Sequence, residues 1–217
     1  MATDFRSGGN RWVCRCVADM EDAENSLSSA AMTPRGRLRV DVPSPLARLI
    51  LVPALPAFHA RYPDIQIDMG VSDRVVALIG DNVDCVLRGG QITDQSLIAR
   101  HVGDLQIGVY VAPSYVERLG APAHPRELQN TDHCIVGFLS SRTSKIDPLV
   151  LCSENERIEI TGNYVLAVDD GNAYLEAGLV GLGVIALPNY MAAAHQAVGA
   201  LIPLFTQWRI SPMPLYL

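Results

Sequence analysis

The sequence predicts an α/β protein folded as two lobes around a central cleft, and three observations carry that expectation. Short apolar segments alternate with helical ones in a β-α-β-α-β rhythm, and a second unit repeats it. The strand segments are largely continuous apolar runs, as parallel strands buried on both faces require. The chain has 217 residues, 49% of them apolar and 18% charged, enough for two cores and far from a disordered composition.

Residues 1–12 show no periodicity and are expected to form an unstructured leader. In "WVCRCVADMEDAENSLSSAAM" the residues Val13, Val17, Met20, Leu27 and Ala31 recur at heptad-like spacing, with Glu24 in the remaining slot. This predicts an amphipathic linker helix over 13–35, stopped by Thr33-Pro34-Arg35-Gly36. "LRVDVP" reads as a strand. "SPLARLILVPALPAFHARYP" reads as a helix with Ser44 as N-cap and Pro45 at the first helical position. "IQIDMGV", "DRVVALIG" and "DCVLR" follow as strand, short helix and strand.

The chain is expected to cross between lobes within "GGQITDQSLIARHVGD". Beyond it, "LQIGVYV", "PSYVERLG" and "CIVGF" read as strand, helix and strand. "RIEI" and "YVLAV" are expected as a strand pair joined at Thr161-Gly162-Asn163. Asp169 or Asp170 can cap a helix through Ala173, Tyr174 and Ala177. "GVIAL" is a buried strand and "PNYMAAAHQAV" a helix opening on proline. The chain returns near "FTQWRISP" and stops on an apolar "MPLYL", which as a terminus looks cut short. The expected division is residues 36–102 with 205–217 for the first lobe and 103–204 for the second.

Composition excludes several functions. A net charge of −6, with 17 Lys and Arg scattered and unclustered, argues against gripping DNA through this chain's own surface. Five irregularly spaced cysteines, Cys14, Cys16, Cys85, Cys134 and Cys152, suggest packed thiols in a reducing compartment. Cys14-Arg15-Cys16 has no second ligand pair nearby, so no metal is expected. The start lacks an apolar signal segment, which points to the cytoplasm. The uncharged span Ala177–Trp208, His195 aside, is long enough for a bilayer but is broken by Gly181, Gly183, Pro188 and Pro203. No membrane association is expected. His59, His101, His124, His133 and His195 stand in no metalloprotease or nucleophile-elbow context. No catalytic residue and no cofactor is assigned.

The stretch "VDDGNAYLEAGLVGLGVIALP" looks at first like a phosphate loop. Phosphate loops place glycines between a strand and the helix it opens. Here Gly181 and Gly183 follow a helix and lead into a strand, so a helix stop with close helix–sheet packing is the expected reading. Ligands of open α/β sheets gather at the carboxyl ends of strands. Two such places are Val168, Asp169, Asp170 and Gly171, and Pro43, Ser44, Pro45 and Leu46. At each, a helix start offers unpaired N–H groups, although Ser44 and Asp169 are equally explained as caps. Arg88, before Gly89, suits a ligand carboxylate or an ion pair with an acid such as Asp94. Phe138 and Leu187, near strand ends, suit a cleft wall or a core.

The order of segments resembles the effector-binding half of LysR-type transcription regulators. The residues that carry the likeness are "GRLRVDVP", "LVPALPAFHARYPDIQIDM", "VDCVLRGG", "SLIARHVGD", "VYVAPSYVERLGAPAHPREL", "GLGVIALPNY" and the final "GALIPLFTQW…PLYL". The resemblance spans about residues 14–217. It implies two Rossmann-like lobes with a central cleft, similar to type 2 periplasmic binding proteins. It also implies a small effector in that cleft, with Ser44 a hydroxyl donor to it, and a homodimer or homotetramer. A carboxylic or aromatic acid is the expected effector class. DNA would be reached only through an N-terminal helix-turn-helix, which this sequence does not contain. A transporter's solute-binding protein and a truncated regulator remnant are the alternatives. On this reading Ser44→Ala and Arg88→Ala weaken effector binding with little loss of fold.

Overall fold

The computed structural model describes residues 34–73, 83–90, 98–130, 132–141 and 143–217. The expected leader and nearly all of the expected linker helix lie outside the described residues, as do Asp94 and the body of "DRVVALIG".

The first lobe is built on a parallel sheet in which β1 (Gly36–Val42) lies between β2 (Ile65–Val71) and β3 (Cys85–Val86). Between β1 and β2 the chain is helical throughout: α1 (Ser44–Leu46), a π-helical turn (Ala47–Leu51) and α2 (Val52–Arg61). The widened turn precedes Pro53 and Pro56, whose ring nitrogens cannot donate to carbonyls one turn earlier. A second small sheet sets β13 (Met213–Tyr216) antiparallel between β4 (Arg88–Gly89) and β5 (His101–Leu105), with Met213 opposite Leu105. The terminal "MPLYL" is therefore the middle of a sheet, which accounts for its apolar character.

In the second lobe β6 (Ile107–Val111) lies antiparallel between β11 (Ile185–Pro188) and β12 (Ile202–Leu204). β7 (Ile135–Phe138) pairs in parallel with β10 (Tyr164–Val168), and an Ile135–Val184 bridge ties it beside β11. Helices α3 (Pro113–Leu119), α4 (Glu127–Asn130), α5 (Gly171–Leu179) and α6 (Asn189–Ala197) complete the lobe.

Adjacent residues of its strands feed opposite clusters. Val109, Val111, Ile135 and Val184 pack with Tyr115, Leu128 and Leu151, while Tyr110, Val136 and Ile185 pack with Tyr174, Leu175 and Met191. Successive strand side chains point to opposite faces, so burial of both faces demands uninterrupted apolar runs. That is the pattern seen in "IGVYV" and "VIAL".

One expectation is corrected. "RIEI" is β9 (Arg157–Ile160) and pairs antiparallel with β8 (Leu149–Cys152), not with "YVLAV". Its Ile158 and Ile160 join the same core as Leu151, whereas Tyr164 and Val165 stay exposed. β5 runs on to Leu105 against β13, and β6 begins at Ile107. Phe205, Trp208 and Ile210 pack on the cluster of Val109, Tyr115 and Leu151, and Arg209 bridges to Cys152.

Candidate functional site

The glycines of "GLVGLGV" stop a helix. Gly181 has φ +76°, a left-handed conformation costly for other residues, just past the end of α5. A Cβ on Gly183 would lie 2.7 Å from the Ile135 carbonyl carbon and 2.9 Å from the Val136 nitrogen. Its bare Cα is what lets this segment lie against β7.

Between the lobes is a cavity of about 430 Å³, within the usual range for a small-molecule site. Pro43, Pro45, Leu46, Arg88, Gly89, Phe138, Gly171 and Leu187, all expected there, line it. Most of the remaining wall is apolar, including Leu105, Ile107, Val136, Leu149, Met191 and Met213. Phe138 meets Tyr174 edge to face, with ring centroids 5.4 Å apart. The buried Tyr174 hydroxyl accepts the Ala186 N–H at 3.0 Å, and burial pushes its pKa up to about 12. Tyr190 packs against the cores of both lobes.

Ser44, Val168, Asp169 and Asp170 are not among the residues that line the cavity. Asp170 is the N-cap of α5, accepting the Ala173 N–H at 2.8 Å. The Val168 carbonyl accepts from the Leu139 N–H, which continues the β10–β7 pairing. Asp169, half-buried between them, does not cap the helix.

Ser44 is not the cap expected of it. Pro43 holds that position with an extended backbone (φ −57°, ψ 140°), and no side chain caps α1. The Ser44 hydroxyl instead accepts from Asn172 Nδ2 at 2.5 Å, a hydrogen bond across the cleft from lobe to lobe.

Arg88 is engaged in an ion pair, but with Asp41 rather than the Asp94 named from the sequence. Its Nη2 pairs with Asp41 Oδ1, and its Nη1 donates to the Ser72 carbonyl at 2.8 Å. Asp41 sits on β1 and is buried, and a buried carboxylate needs a counterion.

The residue that organises the cleft, Asp73, was missed. It lies two positions beyond the end of β2. Its Oδ1 accepts the Ser44 N–H at 2.8 Å, and its Oδ2 accepts the Gly171 N–H. One carboxylate thus joins the helix starts of both lobes. Burial raises its pKa and nearby Asp170 adds to that, while the two N–H groups and Arg88 pull it down. The strand-end rule that marked 43–46 and 168–171 would have found Asp73 if applied to β2. Asn172 carried no signal beyond adjacency to Gly171.

A cleft between α/β lobes, apolar along its walls and crossed by polar links at one end, is the build of a two-lobed substrate-binding module. The chain belongs to the LysR family of transcription regulators, whose LysR substrate binding domain matches residues 32–217. An HTH-type transcriptional repressor of Pseudomonas aeruginosa (strain UCBPP-PA14) is 31% identical over 218 residues, covering 99% of this chain and 68% of that protein. An HTH-type transcriptional regulator of Xanthomonas campestris pv. campestris (strain 8004) is 33% identical over 196 residues, covering 89% of this chain and 56% of that protein. The solved regulatory domain of CrgA, a LysR-type regulator from Neisseria meningitidis, is similar with a TM-score of 0.74 and 27% identity, covering 84% of this chain and 88% of that one. The fold is that of LysR regulatory domains, like type 2 periplasmic binding proteins. The chain spans 56% to 68% of the length of these two curated relatives. Among the described residues, no helix is long and apolar enough to cross a membrane.

Proposed function

We propose that this chain is the effector-sensing and oligomerising portion of a cytoplasmic LysR-type regulator, with residues 36–105 and 211–217 as one lobe and 107–210 as the other. The observation that carries the reading is the 430 Å³ apolar cavity between the lobes, with helix starts of both lobes meeting at one end. A guest there touches Leu46 and Met213 from one lobe and Phe138 and Leu187 from the other. It therefore stabilises whichever lobe arrangement offers more of those contacts, and only by the difference in affinity. Exposed Leu49, Ile50 and Val52 on the helical segment of the first lobe support self-association as a homodimer or homotetramer. In this reading promoter contact belongs to a helix-turn-helix of the kind named in the relatives. The chain senses and does not catalyse.

The test is a screen of small aromatic and aliphatic metabolites by calorimetry on this chain and on Ala186→Phe, which fills the cavity. Cleft ligands bind the unmodified chain and lose affinity by about tenfold or more in the variant. Ligands that bind both proteins equally would reject the cavity as the sensing site.

A further inference from the structure

We propose that Asp73 sets the chemical class of molecule the cleft admits: its carboxylate fills the seat between the two helix starts, so the cleft takes non-anionic, largely apolar molecules and turns small carboxylates away. The inference rests on the cleft being the effector site, and it departs from the carboxylic acid expected from the sequence.

The two backbone N–H groups best placed to receive an anion across the cleft are those of Ser44 and Gly171. Both donate to Asp73. The seat is also too tight for a second carboxylate. A Cβ on Gly171 would stand 2.5 Å from Pro45 Cγ and 3.2 Å from Asp73 Oδ2, so the two lobes are already in contact there. The Asn172–Ser44 hydrogen bond closes the same end.

Electrostatics point the same way. Arg88 is the only Lys, Arg or His among the described residues of the cavity wall. Its guanidinium already serves Asp41 and the Ser72 carbonyl. The other charged wall residues are Asp73 and Asp147, and Asp170 lies close enough to Asp73 to raise its pKa. A carboxylate guest would add negative charge to this group beside largely apolar walls, where like charges repel more than in open water. A hydroxyl or amide N–H on an apolar body would instead find a carboxylate oxygen to donate to.

Benzyl alcohol and benzoate, one ring without and with the charge, are the probes. Titration is followed by NMR at the Gly171 and Leu187 amides in this chain, Asp73→Ala and Asp73→Asn. The unmodified chain is expected to bind benzyl alcohol at least about tenfold more tightly than benzoate. Asp73→Ala is expected to gain benzoate affinity by about tenfold or more, with a salt dependence absent for the alcohol. Asp73→Asn keeps the shape without the charge and gains in the same direction by less, so a misfolded Ala variant does not end the test. Equal binding of both probes by the unmodified chain overturns the inference and leaves the sensing site intact. So does a folded Asp73 variant that gains nothing for benzoate. If benzyl alcohol leaves the cleft amides unmoved, or binds Ala186→Phe as well as the unmodified chain, the site reading itself falls.

Discussion

The two lobes share an architecture and differ in how they are held together. The second has two buried clusters, on opposite faces of β6, β7 and β11, containing full-sized side chains such as Tyr115, Leu128 and Leu175. The first, over its described residues, buries Val42, Leu46 and Ala47, and half-buried neighbours including Tyr190 and Leu215 complete the cluster. Over those same residues the first lobe also carries internal polar links: Asp41 with Arg88, and Asp73 with Ser44. Apolar packing tolerates only small displacements, whereas links of one or two hydrogen bonds can exchange partners. The second lobe is thus expected to be the frame and the first the part that adjusts.

Equal truncations in the two lobes sharpen that contrast most. Leu175→Ala in the second lobe is expected to lower unfolding free energy by about 2–5 kcal/mol. Leu46→Ala in the first, the same truncation within the smaller cluster, is expected to fall at the low end of that range, about 2 kcal/mol. Urea denaturation of both variants checks the ordering, and equal losses would erase the distinction drawn between frame and adjustable part.

Arg88→Ala comes next. It leaves the Asp41 carboxylate buried without its guanidinium, and Arg88 is itself only 22% exposed. The loss should be on the order of 2–3 kcal/mol, below that for a fully buried pair. This reverses the expectation from sequence, in which Arg88→Ala spared the fold. A thermal melt unchanged within experimental error would restore Arg88 to the ligand.

The smallest effect separates the two helix starts. Asp170→Ala removes a cap and should cost about 1 kcal/mol. Ser44→Ala removes no cap, only the acceptor for Asn172, and is expected to loosen lobe closure more than stability. Melting temperature paired with small-angle scattering distinguishes the two. A larger melting shift for Ser44→Ala than for Asp170→Ala would contradict the assigned roles.

Much of the fold was legible because burial on both faces of a sheet writes itself as continuous apolar runs, as in "IGVYV" and "VIAL". Strand partnership was not legible. Nothing in "RIEI" names "LVLC" as its neighbour, and "MPLYL" betrays neither of the strands that flank it. At the site, residues following strands stood out where a proline or glycine opened a helix, which gave Pro43–Leu46 and Gly171. Asp73 reads from sequence only as the first residue of the helix "DRVVALIG", and its partner Gly171 lies 98 residues away. Arg88 was recognised, but its partner was not, because the buried Asp41 lies in an alternating strand that reads as half-solvated.

With the lobes bounded as proposed, the pairing of Met213 with Leu105 sets the two passages between them side by side, one at Gln106 and the other just after Ile210. A pair of adjacent tethers bends easily about one axis and resists twisting about the others. Movement of one lobe on the other is therefore expected to be a swing in a single plane, one that widens or narrows the end of the cleft held by Ser44 and Gly171.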